Sequence, residues 1–209
     1  MARKAAAKKA QQTLKAQKQV VLTACATALL CAGILARPAC AERDHKMLLL
    51  AGKYYLVNHP NDTRTLASVG GLEIEFGSYD DAIKHLSKAI ELSPFENAYY
   101  IDRADAYLHR GDYEKAIADA NMVMKSTNGT ELGLALANRG EAYYRLKNSK
   151  QALTDLTRAI HYLPDLGGTY FYRAKTYELM GRADLAAPDY GKARDRGFVA
   201  DGQQEVSSK

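Results

Sequence analysis

The pattern of small, apolar and polar residues repeats along this chain with a nearly fixed period. Its clearest copy is the segment Gly111–Asp119, which reads GDYEKAIAD. Four alanines mark the repeat, spaced by 34, 36 and 34 residues: Ala82, Ala116, Ala152 and Ala186. A period of this length is typical of stacked helical pairs, because one pair alone cannot bury its apolar face.

Four copies of the pattern resemble tetratricopeptide repeats, which are helix–turn–helix units stacked into a superhelix. Each copy places an apolar and a small residue on its first helix, and a small, a bulky and another small residue on its second. The copies are residues 63–96, 97–130, 133–166 and 167–200. The clearest departure is Glu73, which stands where the first copy should have an aromatic residue. The resemblance implies an all-α tetratricopeptide solenoid of about four repeats.

Small residues at two positions of the repeat have a steric role in such a stack. The eighth position should face the second helix of its own unit, and the twentieth should let the next helix approach closely. A larger side chain at either position would overpack the contact. The eighth-position residues are Gly70, Ala104, Gly140 and Ala174, and the twentieth-position residues are the four alanines that mark the period.

Charged residues at two other positions match between copies. The last three copies have arginine at the seventh position and aspartate at the twenty-third: Arg103 and Asp119, Arg139 and Asp155, Arg173 and Asp189. The first copy lacks both, with Val69 and His85 in their places. This joint presence and absence predicts a bidentate pair that joins the two helices of each unit. Two independently solvated charges are the alternative.

Residues 1–41 have the composition of a signal peptide or a signal anchor. Seven Lys and Arg and no acid precede Glu42, and Val20–Ala36 is a run of 17 residues without a charge. Ala39–Ala41 has the small residues of a cleavage site, which predicts a mature chain that begins at Glu42. An uncleaved anchor in the inner membrane is the alternative, with residues 20–36 as the contact with the membrane. Either reading predicts an exported protein.

Two further segments flank the repeats. Residues 42–62 show apolar side chains at helical spacing and end at His59–Asp62, so we expect a capping helix or a degenerate half repeat there. A linker helix is the alternative. Residues 201–209 are short and polar, which predicts a disordered tail.

Composition and motifs favour a non-enzymatic protein without a cofactor. The net charge of +5 comes from the leader, because the rest of the chain has 22 bases against 24 acids, so nucleic-acid binding is not expected. The three cysteines all precede Glu42 and form no metal-type pair. The sequence contains no metalloprotease, nucleophile-elbow, phosphate-loop or dinucleotide motif.

The resemblance implies a ligand groove lined by the first helices. The matching positions hold Ile101, Asp102, Asp105, Leu108, Asn138, Glu141, Tyr144, Phe171, Tyr172, Lys175 and Glu178. This mixture suits another protein, whose apolar helix or extended segment carries Lys or Arg. A solvated face without a ligand is the alternative. We expect a protein-binding scaffold in the periplasm or cell envelope. A cytoplasmic chaperone-like carrier of secretion substrates is the second hypothesis.

Overall fold

The computed structural model describes residues 38–125 and 129–198, and the side chains of residues 43–125 and 129–198. The predicted leader segment 20–36 and the predicted tail 201–209 lie outside these residues. The described residues form nine helices and no strand, which confirms the all-α prediction. The helices are α1 (Pro38–Asn58), α2 (Thr63–Glu75), α3 (Tyr79–Leu92), α4 (Asn97–Arg110), α5 (Tyr113–Val123), α6 (Gly129–Arg145), α7 (Ser149–Tyr162), α8 (Gly167–Leu179) and α9 (Ala183–Asp195).

Helix α1 belongs to a first compact unit that ends at Pro60. It begins at Pro38, four residues before the predicted mature start, and therefore runs through the predicted cleavage junction. After its last turn the His59 amide donates to the Tyr55 carbonyl at 3.1 Å. No helix in the described part of the chain is both long and apolar enough to cross a bilayer. A capping role for this segment stays a prediction.

Helices α2 to α9 lie in the second compact unit and form four successive helix pairs. One residue with a left-handed backbone conformation ends the first helix of each pair: Gly77, Gly111, Lys147 and Gly181, with φ of 72°, 92°, 60° and 71°. The amide that follows it reaches back to the last turn, as Asn148 does to the Tyr143 carbonyl at 2.8 Å. This is a Schellman-type cap, which turns the chain sharply into the second helix.

Close contact between the two helices of a pair depends on residues without bulk. A Cβ atom added to Gly70 would lie 2.7 Å from Cγ of Leu86, and one added to Gly140 would lie 2.7 Å from Cγ of Leu156. Both leucines are fully buried. The predicted steric role of the eighth position is confirmed at these glycines.

The predicted arginine–aspartate pairs are present in the last three repeats. Nε and Nη2 of each arginine donate to the two carboxylate oxygens of the aspartate on the second helix, at 2.6–2.9 Å. Arg103 also donates to Ser87 of the preceding repeat at 2.9 Å, and Arg139 donates to Asn121 at 2.6 Å. Each of these two arginines therefore fixes the angle within its own unit and the step to the previous unit.

The first repeat joins its helices differently. Val69 is buried at the arginine position, and His85 Nδ1 lies 2.7 Å from Oε2 of Glu73, a carboxylate with no exposed surface. The two residues that depart most from the repeat pattern are thus each other's partners.

Candidate functional site: the concave groove

A cavity of about 740 Å³ opens between the first helices α4, α6 and α8. Most of the sequence-predicted groove residues meet there, together with seven other residues. The predicted residues that line it are Asp105, Asn138, Glu141, Tyr144, Phe171, Tyr172 and Lys175. The additional lining residues are His109, Ala137, Arg145, Leu166, Gly168, Thr169 and Phe198.

Carboxylates form one wall of the groove. Asp105 on α4 lines the cavity, whereas Asp102, one helical turn away on the same helix, does not. Burial together with the Asp105 charge raises the pKa of Asp102 to about 6. Burial also raises the pKa of Asp105, against the opposite effect of His109, whose Nε2 lies 3.6 Å from the carboxylate. Among the described residues no cation forms an ion pair with Asp102. A positive charge supplied by a ligand would offset the free-energy cost of burying this carboxylate charge.

Glu141 on α6 continues this wall, but a cation of the chain itself accompanies it. Nη2 of Arg145 donates to Oε1 of Glu141 at 3.1 Å and to the Tyr172 hydroxyl at 3.2 Å. The guanidinium carbon also lies 5.6 Å from the centre of the Tyr172 ring. Burial raises the pKa of Glu141, whereas its hydrogen bond with Tyr172 and the Arg145 charge lower it. The three side chains connect α6 to α8 across the groove floor.

Aromatic rings form the opposite wall. Phe171 lies with its ring centre 5.0 Å from that of Phe198 and 5.3 Å from that of Tyr172, and Tyr144 lies 5.7 Å from Tyr172. Phe198, which follows α9, reaches α8 because Gly167 and Gly168 leave room: a Cβ atom on Gly168 would be 3.1 Å from its ring. Such rings offer an apolar side chain a large contact area.

Lys175 stands at the edge of the aromatic wall. Its Nζ lies 5.7 Å from the ring centre of Phe171 and 3.3 Å from Oε2 of Glu178. Glu178 is exposed and is not among the residues that line the cavity. The groove thus changes from acidic at α4 to aromatic and partly basic at α8.

Leu108 and Asn138 differ from their expected roles. Leu108 is only 7% exposed and packs with Ala104, Ala116 and Ala142, so it is a core residue between successive repeats and not a groove residue. Asn138 lines the cavity, but its Nδ2 donates to the Ile101 carbonyl at 3.1 Å and holds α6 against α4. The side-chain amide of Asn138 therefore stabilises the packing of α6 against α4.

Arg145 and Phe198 are two of the lining residues that the sequence did not reveal. Arg145 is at the thirteenth position of its repeat, where the other copies have Glu75, His109 and Leu179, so no arginine repeats there. Phe198 stands where the family often has a closing proline, a position that the resemblance does not assign to the groove. Within the described residues, no group of three or more His, Cys, Asp or Glu could hold a metal ion.

Comparisons with known proteins agree with this architecture. Residues 72–126 match the family model described as tetratricopeptide repeat. The fold is similar to that of a thermophilic tetratricopeptide protein of Thermus thermophilus, with a TM-score of 0.64 and 19% identity over 76% of this chain and 86% of that one. MamA from Desulfovibrio magneticus RS-1 gives a TM-score of 0.63 and 17% identity over 79% and 93%. The repeats have a tetratricopeptide fold.

Tetratricopeptide folds generally use their concave surface to bind other proteins. Among curated proteins, the TPR repeat-containing thioredoxin TDX of Arabidopsis thaliana is 34% identical over 83 residues, which are 40% of this chain and 21% of that protein. Sperm-associated antigen 1 of Homo sapiens is 26% identical over 133 residues, 64% of this chain and 14% of that protein. The chain matches only 14–21% of the length of these two curated relatives. The similarity therefore concerns the repeats.

Proposed function

We propose that this tetratricopeptide protein is a non-enzymatic scaffold whose concave groove holds an apolar segment of another protein that carries Arg or Lys. The observation that supports this most strongly is the cavity of about 740 Å³, with the desolvated carboxylates of Asp105 on α4 and Glu141 on α6 and an aromatic wall on α8. The carboxylates suit the basic side chain of such a segment, and the aromatic wall suits its apolar side chains.

Each wall contributes a different part of the binding free energy. The rings of Phe171 and Phe198 bury the apolar side chains of the partner, which gives most of the affinity. Asp102 and Asp105 attract its basic side chain, which sets the orientation and speeds up association. Because a bound cation favours the ionised carboxylate, binding should lower the raised pKa of Asp102 and release protons near pH 6.

Site-specific crosslinking tests groove binding. A photoreactive phenylalanine derivative replaces Tyr144, which lines the groove, in the full-length chain in its native host. The matched control carries the same group at Tyr162 on α7, which is 37% exposed and does not line the cavity. We expect a crosslinked protein from position 144 and none from position 162. The reverse result would contradict the proposal.

We also propose that the scaffold works in the cell envelope, on the periplasmic side. The supporting features are the basic residues before Val20, the uncharged run up to Ala36 and the small residues of Ala39–Ala41. N-terminal sequencing of protein from fractionated cells tests this. A chain that starts at Glu42 supports export with cleavage, and an intact chain in the membrane fraction supports an anchor. An intact chain in the cytosol would contradict envelope location and favour the chaperone-like carrier.

A further inference from the structure

Two equivalent positions of the groove are occupied differently in successive repeats. In the third repeat, Arg145 lies between the Glu141 carboxylate, at 3.1 Å, and the hydroxyl and ring of Tyr172. Glu141 is at the ninth position of its repeat and Arg145 at the thirteenth, and Tyr172 is at the sixth position of the next repeat. A guanidinium between a carboxylate and an aromatic face is a favourable arrangement, because it combines an ion pair with a cation–π contact.

The second repeat has the carboxylate but no guanidinium. Its ninth position is Asp105, and its thirteenth position is His109, whose Nε2 is 3.6 Å away and whose ring stacks on Tyr79 at 5.2 Å. The sixth position of the next repeat is Asn138, which donates to the Ile101 carbonyl. Asp102 lies one turn away on the same helix. Within the described residues no guanidinium pairs with Asp105, whereas Arg145 pairs with Glu141 on α6.

We propose that Arg145 occupies the place of a partner arginine in the free protein, and that a binding segment must displace Arg145 from Glu141. Arg145 is then an internal competitor, and the contacts that it makes show which side chain the groove recognises there. This inference rests on the proposed function and adds to it the preferred residue, arginine, and a residue that limits the affinity.

The burial of the two partners makes such an exchange feasible. The Glu141 side chain is only 19% exposed, so it is held in the groove wall, whereas the Arg145 side chain is 44% exposed. Arginine has a long flexible stem, so Arg145 can swing into solvent and regain hydration while another guanidinium takes its place. Tyr172 stays in position because its ring also packs against Phe171 and Tyr144. The partner arginine makes the same kinds of contact that Arg145 gives up. The free-energy cost to the ligand is therefore the loss of the Arg145–Glu141 ion pair.

The substitution Arg145→Gln in the full-length chain tests the inference. The probe is an acetylated and amidated leucine–alanine peptide with two arginines one helical turn apart, and its matched counterpart carries citrulline, an uncharged isostere. The control variant is Arg182→Gln, which removes one positive charge from an exposed pair outside the groove. We expect R145Q to bind the arginine peptide about three- to tenfold more tightly than the parent chain, as the release of one competing ion pair implies. R182Q should differ by less than about twofold, and neither variant should gain affinity for the citrulline peptide.

Two further measurements separate the possible failures. Circular dichroism confirms that R145Q is folded, and the double variant E141Q/R145Q should lose the gain, because the vacated carboxylate is then absent. Unchanged or weaker binding by R145Q overturns the internal competition while the proposed function stands. If no chain binds the arginine peptide, or if Asp105→Lys leaves its binding unchanged, the proposed groove chemistry itself is wrong.

Discussion

Arg139 on α6 and Asp155 on α7 form a bidentate pair, with Nε 2.7 Å from Oδ2 and Nη2 2.9 Å from Oδ1. The remaining guanidinium nitrogen donates to Asn121 in the preceding repeat at 2.6 Å. One side chain thus connects three helices. The groove is built from α4, α6 and α8. The interhelical angles that Arg103, Arg139 and Arg173 set therefore also determine how its walls face each other.

A double-mutant cycle on Arg139→Ala and Asp155→Ala should give a coupling energy of about 2 kcal/mol in urea unfolding, because both side chains are largely buried, at 18% and 4% exposure. The matched control is the pair Arg182 and Asp184, which are 54% and 65% exposed. Its coupling should be indistinguishable from zero, because water and salt screen an exposed pair. A coupling near zero at Arg139 and Asp155 would mean that their pairing reflects repeat ancestry and adds no stability.

The neighbouring glycines of α2 should respond in opposite ways to alanine. Gly70→Ala places a Cβ atom 2.7 Å from the buried Leu86 and should lower the free energy of unfolding by about 1–3 kcal/mol. Gly71→Ala meets no atom within 4 Å and should raise it by up to about 1 kcal/mol, because alanine favours the helix. Thermal melts of the two variants measure this. If both substitutions changed the free energy of unfolding equally, helix propensity and not the close approach of Leu86 would determine the effect at Gly70.

Lys147→Gly should stabilise the protein by about 0.5–1 kcal/mol. Lys147 has φ of 60°, the conformation that glycine adopts at the same place in the other three repeats. A side chain with a Cβ atom is strained there. The control is Arg158→Gly in the interior of α7, which should cost about 1 kcal/mol because it adds flexibility without relieving strain. A loss of stability in both variants would argue against strain at Lys147.

Asp102→Asn should stabilise the fold only at pH values at which Asp102 is ionised in the parent chain. Its pKa is raised from 3.8 to about 6, so the folded state holds the proton more tightly than the unfolded state does. The parent chain therefore loses stability as pH rises from about 4 to 6, and the Asn variant does not. Above pH 7 the variant should be more stable by about 1–2 kcal/mol, which is less than the full shift because water screens the site.

Urea unfolding at pH 4 and at pH 7.5 measures the difference between the two chains. The matched control is Asp165→Asn in an exposed loop, which should change stability equally at both pH values. If Asp102→Asn gave the same difference at pH 4 and pH 7.5, burial of the Asp102 charge would not carry the cost that we assign to it.

The fold and the pairs that join its helices could be predicted because they repeat. Gly70 and Gly140 occupy the same position in two copies, and the pair Arg139 and Asp155 has counterparts in two other copies. A contact in one unit therefore implies a contact in the next. The Glu73–His85 pair could not be found in this way. Its two positions carry other residues in the remaining copies, and only the structure brings them to 2.7 Å.

The groove was predictable in its position but less so in its detail. Leu108 and Tyr144 share one position of the repeat, yet Leu108 is buried because the small Ala142 of the next repeat lets it pack inward. Arg145 belongs to the groove because its long side chain reaches Tyr172 on the next repeat, at 3.2 Å. Such contacts depend on side-chain length and on the step between units, which the spacing of the sequence does not contain.

The most direct test of the groove is charge reversal within it, measured as capture of the partner from native membranes by the full-length chain. The test variant carries Asp105→Lys in the cavity wall and Asp102→Lys one helical turn away on the same helix. The control carries Glu91→Lys and Asp165→Lys, which add the same charge at exposed residues that do not line the cavity. Circular dichroism shows that each variant is folded. We predict that the groove variant loses capture by at least about tenfold, the effect of about 1.4 kcal/mol, while the control captures as the parent chain does. Equal capture by both variants would contradict the account.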